Sequence, residues 1–160
     1  MRTLLAVLLG LLAVSTSASA QSGSAADAVR ATIDRLFDGM RAGDSTAVRT
    51  VFAPGARIQS VDVENNRTAL DTRTDDDFVA AVGAPHDATW DERIWDVQIQ
   101  VDGPMATART PYAFYLGDTL THCGVNAFDL ARQGEAWKIL RITYTRRPAN
   151  TCDVPAGVAK

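Results

Sequence analysis

Histidine and cysteine are scarce in this chain, two of each among 160 residues. His86 and His122 lie too far apart for a metal-ligand spacing, and neither sits in a recognisable arrangement of nucleophile, base and acid. The sequence therefore implies no metal and no cofactor. Positive charge is scarce as well: 16 Lys and Arg face 19 Asp and Glu, a net charge of −3 with the signs interspersed. Nucleic acid is a poor partner for such a surface, because phosphate binding needs clustered cations. Long apolar runs are also missing. The run from Leu4 to Val14 is about half of the roughly 20 residues that a membrane helix needs, which argues against a membrane anchor.

That run follows Arg2 and precedes the small residues Ala18-Ser19-Ala20, the three-part pattern of a cleaved secretory signal. Residues 1–20 read as a leader, Gln21 as the mature start, and the destination as periplasmic or extracellular in a bacterium. The leader carries Arg2 and no acid, so the mature chain holds 15 basic and 19 acidic residues, a charge of −4. Its 140 residues suit one domain, expected over residues 26–147 with a tail at 148–160. Export would put Cys123 and Cys152 in an oxidising compartment, where a lone pair of cysteines usually forms a disulfide. Two free thiols are the alternative.

Two helices are predicted near the start. Val29, Ile33, Leu36, Phe37 and Met40 form one apolar stripe that ends at Gly43. Asp44 or Ser45 then caps a shorter helix with Val48, Val51 and Phe52, which stops at Pro54-Gly55. Residues 56–63 alternate as a strand that turns at Asn65-Asn66 into a polar partner. Thr74 followed by Asp75, Asp76 and Asp77 reads as a cap and acidic first turn of a third helix burying Phe78, Val79 and Val82. Three consecutive acids on a helix point in three directions, so dipole complementarity explains them better than a metal. His86 reads as a surface residue.

Four strand-like runs fill residues 92–146, punctuated by Asp102-Gly103, Gly117-Asp118 and Gln133-Gly134. They imply a curled antiparallel meander whose hollow the helices fill. Taking each marked pair as a two-residue turn places Trp95, Thr110, Val125 and Ile142 in one row, with Arg93, Tyr112, Cys123 and Tyr144 beside it. The other face then holds Asp96, Arg109, Asn126 and Arg141, together with His122 and a small apolar end of Phe128, Leu130, Trp137 and Ile139. Burying two arginines and an aspartate costs far more than burying Trp95, so the Trp95 face is expected to be concave and His122 to lie outside. In this register Cys123 lies opposite Tyr144, and five residues from Pro148 suffice to return Cys152 to it.

The helix pair GMRAGDSTAVRTVFAPGA and the later GEAWKILRITYTRR resemble nuclear transport factor 2-like domains. The string THCGVNAFDLARQGEAWKILRITYTRR, followed by a Cys, is similar to the secreted bacterial lumazine-binding-like and SnoaL-like group within that superfamily. The resemblance covers about residues 26–147 and implies a cystatin-like α+β cone: a curved antiparallel sheet wrapped around the N-terminal helix pair, closed by a short third helix. It also implies that dimers through the sheet are common. Enzymes of the superfamily place an acid, or a histidine with Asp and Tyr partners, inside the cone; the inner wall expected here offers Thr110, Tyr112 and Tyr144 only, so no catalytic role carries over.

The leading functional expectation is a pocket for a small apolar or aromatic ligand, walled by Trp95, Thr110, Tyr112, Phe114 and Tyr144 opposite Phe37, Met40, Phe52 and Phe78. The same aromatics could instead fill the cone as core. A second expectation is a cofactor-free enzyme of isomerase, dehydratase or cyclase type, with Asp62 or Asp71 turned inward and Tyr112 or Tyr144 donating to a developing oxyanion. A third is a homodimeric interaction module using Arg109 and Arg141. A cavity, and a carboxylate entering it, would discriminate among them.

Overall fold

The computed structural model describes residues 18–64 and 67–160. The leader's residues 1–17 and the Asn65-Asn66 turn lie outside the described residues. Helix α1 spans Ala18–Ala42, and its stripe of Val29, Ile33, Leu36, Phe37 and Met40 is buried throughout. It already covers residues 21–25, so the chain is helical from before the expected mature domain. Gly43 ends it at a φ of 66°, a conformation that costs glycine little. Asp44 then caps α2 (Ser45–Val51) by accepting the Ala47 N–H at 2.9 Å. Gly39 lets the two helices meet, since a Cβ there would stand 2.7 Å from a Val48 methyl.

The sheet has eight strands among the described residues: β1 (Phe52–Glu64), β2 (Arg67–Thr74), β3 (Trp90–Ile94), β4 (Gln98–Asp102), β5 (Met105–Leu116), β6 (Thr119–Gln133), β7 (Ala136–Thr145) and the short β8 (Arg147–Pro148). Helix α3 (Asp75–Gly83) stands between β2 and β3, opened by a capping box in which Thr74 and Asp77 satisfy each other's backbone. The main path runs β2-β1-β7-β6-β5-β3, with β4 on β5 and β8 on β6. The meander is antiparallel as expected, but β1 joins β7 in parallel, so the sheet is mixed.

The expected register is wrong at four places. The β4–β5 turn falls at Gly103-Pro104, not at Asp102-Gly103, which slides β4 by two residues without exchanging its faces. At the β5–β6 hairpin the turn is Gly117-Asp118 as read, yet Thr121 bulges out, so Phe114 pairs with His122 and Thr110 with Asn126. In β7 Leu140 bulges in the same way, and the β6–β7 turn falls at Gly134-Glu135, which sets Asn126 opposite Tyr144. Between β3 and β4, Asp96 adopts a φ of 47°, so that Ile94 rather than Arg93 faces Tyr112. One inserted residue exchanges the two faces of a strand. Asn126 and His122 consequently lie on the concave face, as do Phe128, Leu130 and Ile139, which are buried instead of forming an outer apolar end; Trp137 is buried too. Arg109 and Arg141 stay outside, where Arg141 pairs with Asp129 at 2.6 Å.

The core lies between α1, α2 and the concave face, from Val29 and Ile33 through Val48 and Val51 to Ala108, Phe128, Leu130, Ile139 and Ile142. Full burial of such side chains contributes about 1.5–3 kcal/mol each before entropy is subtracted. Beyond β8, a 3₁₀ turn at Ala149–Thr151 brings Cys152 to Cys123, and the two are disulfide-bonded with Cα atoms 5.8 Å apart. The strand partner of Cys123 at that point is Arg147, not Tyr144.

Candidate functional site

The core does not fill the cone. A cavity of about 290 Å³ opens between the second half of α1, helix α3 and the concave strands, a size suited to a small molecule. Of the residues expected to wall a pocket, Phe37, Met40, Phe78, Tyr112, Phe114 and Tyr144 line it. Trp95, Thr110 and Phe52 do not. Trp95 sits at the break between β3 and β4, where its carbonyl accepts the Thr110 hydroxyl at 2.7 Å. That bond consumes Thr110, which is fully buried. Phe52 belongs to the core beneath, edge-on to Phe78 with ring centres 5.8 Å apart. Trp90, Leu36, Ile58, Phe128 and Ile142 complete the apolar wall.

Three polar groups on this wall follow from the bulges. Glu92 is brought in by the shift at Asp96, and His122 and Asn126 by the bulge at Thr121. Neither Asp62 nor Asp71, the acids the sequence suggested, lines the cavity. Asp62 accepts the Ser60 hydroxyl at 3.0 Å on one oxygen while its other oxygen, Oδ1, is buried without a partner among the described residues. Asp71 is exposed beside Arg73. Missing Glu92 was a matter of register, since Trp90, Glu92 and Ile94 alternate with Asp91 and Arg93 and only the larger apolar pair marks the inner side.

Glu92 Oε1 accepts a hydrogen bond from Asn126 Nδ2 at 2.7 Å. Its other oxygen has no protein donor among the described residues. Burial pushes the carboxyl up to about 7, partly opposed by the Asn126 bond, so near neutral pH it exchanges between acid and carboxylate. His122 is pushed the other way, down to about 4, first by burial and then by the charge of Arg146. His122 Nδ1 meets the Thr121 hydroxyl at 2.8 Å, and that hydroxyl also reaches the Phe114 carbonyl at 3.1 Å. The imidazole stacks on Phe114 with ring centres 4.9 Å apart.

The two tyrosines differ. Tyr112 spends its hydroxyl on the Thr145 carbonyl at 2.9 Å, whereas that of Tyr144 has no protein partner among the described residues. Burial raises both phenols above their ordinary value, so each remains protonated. Arg73 and Arg146 stand at the rim, both exposed. Nearby, His86 packs against Trp90 at 4.1 Å and meets the Ala81 carbonyl through Nε2. Among the described residues no three His, Cys, Asp or Glu side chains converge as a metal-binding group.

An α+β cone with an aromatic cavity, one titrating carboxyl and one neutral imidazole defines a pocket domain of the nuclear transport factor 2-like class. The chain belongs to the family described as "Putative lumazine-binding", whose profile matches residues 24–145. No curated protein matches it. Among solved structures it is similar to a variant of Rv3472, a protein of unknown function from Mycobacterium tuberculosis, at 16% identity and a TM-score of 0.68, covering 91% of this chain and 85% of that one. An NTF2-like protein of unknown function from Shewanella baltica gives 18% identity and a TM-score of 0.62 over 84% and 100% of the two chains. An NTF2-like protein with a cystatin-like fold from Novosphingobium aromaticivorans gives 15% and 0.59 over 82% and 84%. At these identities the likeness speaks for the fold.

Proposed function

We propose that this chain is an exported pocket domain that binds a small, flat, largely apolar molecule of one or two rings. The observation that carries the reading is the cavity itself, about 290 Å³ walled by Phe37, Phe78, Trp90, Tyr112, Phe114 and Tyr144. A filled cone would have served stability better, because each unfilled volume forfeits packing. The lumazine-binding-like family description and the disulfide are in keeping with an exported binder, and no described helix is long and apolar enough to cross a membrane. The test is thermal unfolding against a library of one- and two-ring compounds, where a ligand at about 100 times its Kd adds about 2.7 kcal/mol. Tyr144→Phe should change the ranking of hydroxyl- and carbonyl-bearing ligands and leave the free protein within about 1 kcal/mol, since its hydroxyl holds no protein partner among the described residues. If no compound raises the transition and the wild-type cavity excludes small probes, the binding reading fails.

Glu92 gives the enzymatic reading a specific foothold. A carboxyl that titrates near neutrality in the same cavity as the Tyr144 hydroxyl is the equipment a cofactor-free isomerase, dehydratase or cyclase uses to move one proton. Under that reading Glu92→Gln abolishes turnover without abolishing binding.

A further inference from the structure

We propose that the cavity takes a positively charged ligand, an organic ammonium on an apolar one- or two-ring body, with Glu92 as its counter-ion. The inference rests on the binding reading above and adds the charge of the ligand.

The placement of counter-charges along β3 is the first support. Asp91 and Glu92 are adjacent and point to opposite faces. Asp91 is surrounded by cations: Arg41 at 2.9 Å, Arg93 at 3.0 Å and Lys160 at 3.4 Å. They hold its carboxyl below the usual range although burial alone would raise it. Glu92, the carboxyl on the cavity wall, has no cation within salt-bridge distance among the described residues, only the neutral Asn126 amide. A carboxylate taken from water without a counter-charge is costly, and a cation supplied by the ligand removes that cost.

The walls are the second support. Tyr112, Tyr144, Phe114 and Trp90 line the same space as Glu92, and aromatic faces attract organic cations through their negative quadrupole. Third, the free Glu92 oxygen is an acceptor left over on the wall, and it matches an ammonium N–H donor. The opposing charges, Arg73 and Arg146, stand at the exposed rim, where water screens them, with Asp71 on Arg73 at 3.3 Å. An anionic ligand would instead set its charge against Glu92 on the desolvated wall. Binding of the cation ionises Glu92, so any proton on that carboxyl leaves to solvent.

The test uses three probes of one shape and different charge: phenethylamine, phenethyl alcohol and phenylacetate. Each is titrated calorimetrically into the full protein at neutral pH in two buffers of different ionisation enthalpy. The expected result is that the amine binds about tenfold more tightly than the alcohol and phenylacetate most weakly, with proton release for the amine alone. In Glu92→Gln the amine should fall to the level of the alcohol while alcohol binding holds, which also reports that the variant is folded. An alcohol that binds as tightly as the amine, a preference for phenylacetate, or an amine affinity unchanged in E92Q overturns the charge assignment and leaves the binding reading intact. Failure of all three probes to bind overturns both.

Discussion

At the residue scale, two groups in the cavity pull the pH dependence of folding in opposite directions. Glu92 has a folded value raised to about 7, so its contribution to stability is full below its unfolded value near 4.5 and is lost as pH rises through about 7. His122 has a folded value lowered to about 4, so its contribution is present above about 6.5 and lost as pH falls. Between about 4.5 and 6.5 the two slopes offset each other. Glu92→Gln removes one of them. Its stability relative to wild type should therefore grow by about 2 kcal/mol from about pH 5 to about pH 8, measured by urea unfolding at each pH. Asn126→Ala should raise the Glu92 midpoint further, read from the carboxyl carbon resonance, because it deletes the hydrogen bond that favours the charged form. A midpoint near the ordinary carboxylate value in wild type would mean that water reaches Glu92 freely.

At the element scale, the three helices were legible because their signals are local, although the second ends at Val51, where β1 begins with Phe52, and not at Pro54-Gly55. The stripe of α1, the Thr74 cap and the Gly117-Asp118 turn each depend on residues a few positions apart and stand where the sequence placed them, and of the two caps it offered for α2 the chain uses Asp44. The helical part of the apolar wall, Phe37, Met40 and Phe78, was legible for the same reason. The polar site was not, because it depends on strand faces, and faces depend on every bulge between a turn and the residue in question. Thr121 and Leu140 carry no glycine or proline to announce a bulge, yet each exchanges the faces beyond it. The two shifts cancel for Ile142 and Tyr144, which is why those were placed correctly while His122 and Asn126 between them were not. Gly124 gives a direct test of the observed register. A Cβ there would stand 1.9 Å from the Thr145 carbonyl oxygen and 2.8 Å from the Tyr112 ring. Gly124→Ala should thus cost more than about 2 kcal/mol by chemical denaturation, well above the usual effect of alanine in a strand. A neutral or stabilising outcome would mean that β6 and β7 do not approach as described.

At the scale of the whole molecule, the last residues tie the open end of the fold together. The Cys123–Cys152 bridge closes a segment of 29 residues of sequence separation and pins the chain after β8. Beyond it the tail returns to β3: Arg93 donates to the Val158 and Ala159 carbonyls, and Lys160 reaches Asp91, which Arg41 of α1 also holds. Disulfide, tail and ion pair therefore join β6, β3 and α1 outside the cavity. In the chain-entropy account a loop of this length contributes about 3–4 kcal/mol, chiefly by restricting the unfolded chain. The charged contacts add less, since Arg41 is partly exposed and exposed pairs contribute about 1 kcal/mol at most. The double variant Cys123→Ser, Cys152→Ser should accordingly lower stability by about 3 kcal/mol, with faster amide exchange confined to residues 149–160 and the β3 edge. Cys123 points away from the concave face, so probe affinity at a temperature where both proteins are folded should not change. Loss of probe binding in the folded double variant would show instead that the tail holds β3, and with it Glu92, in place.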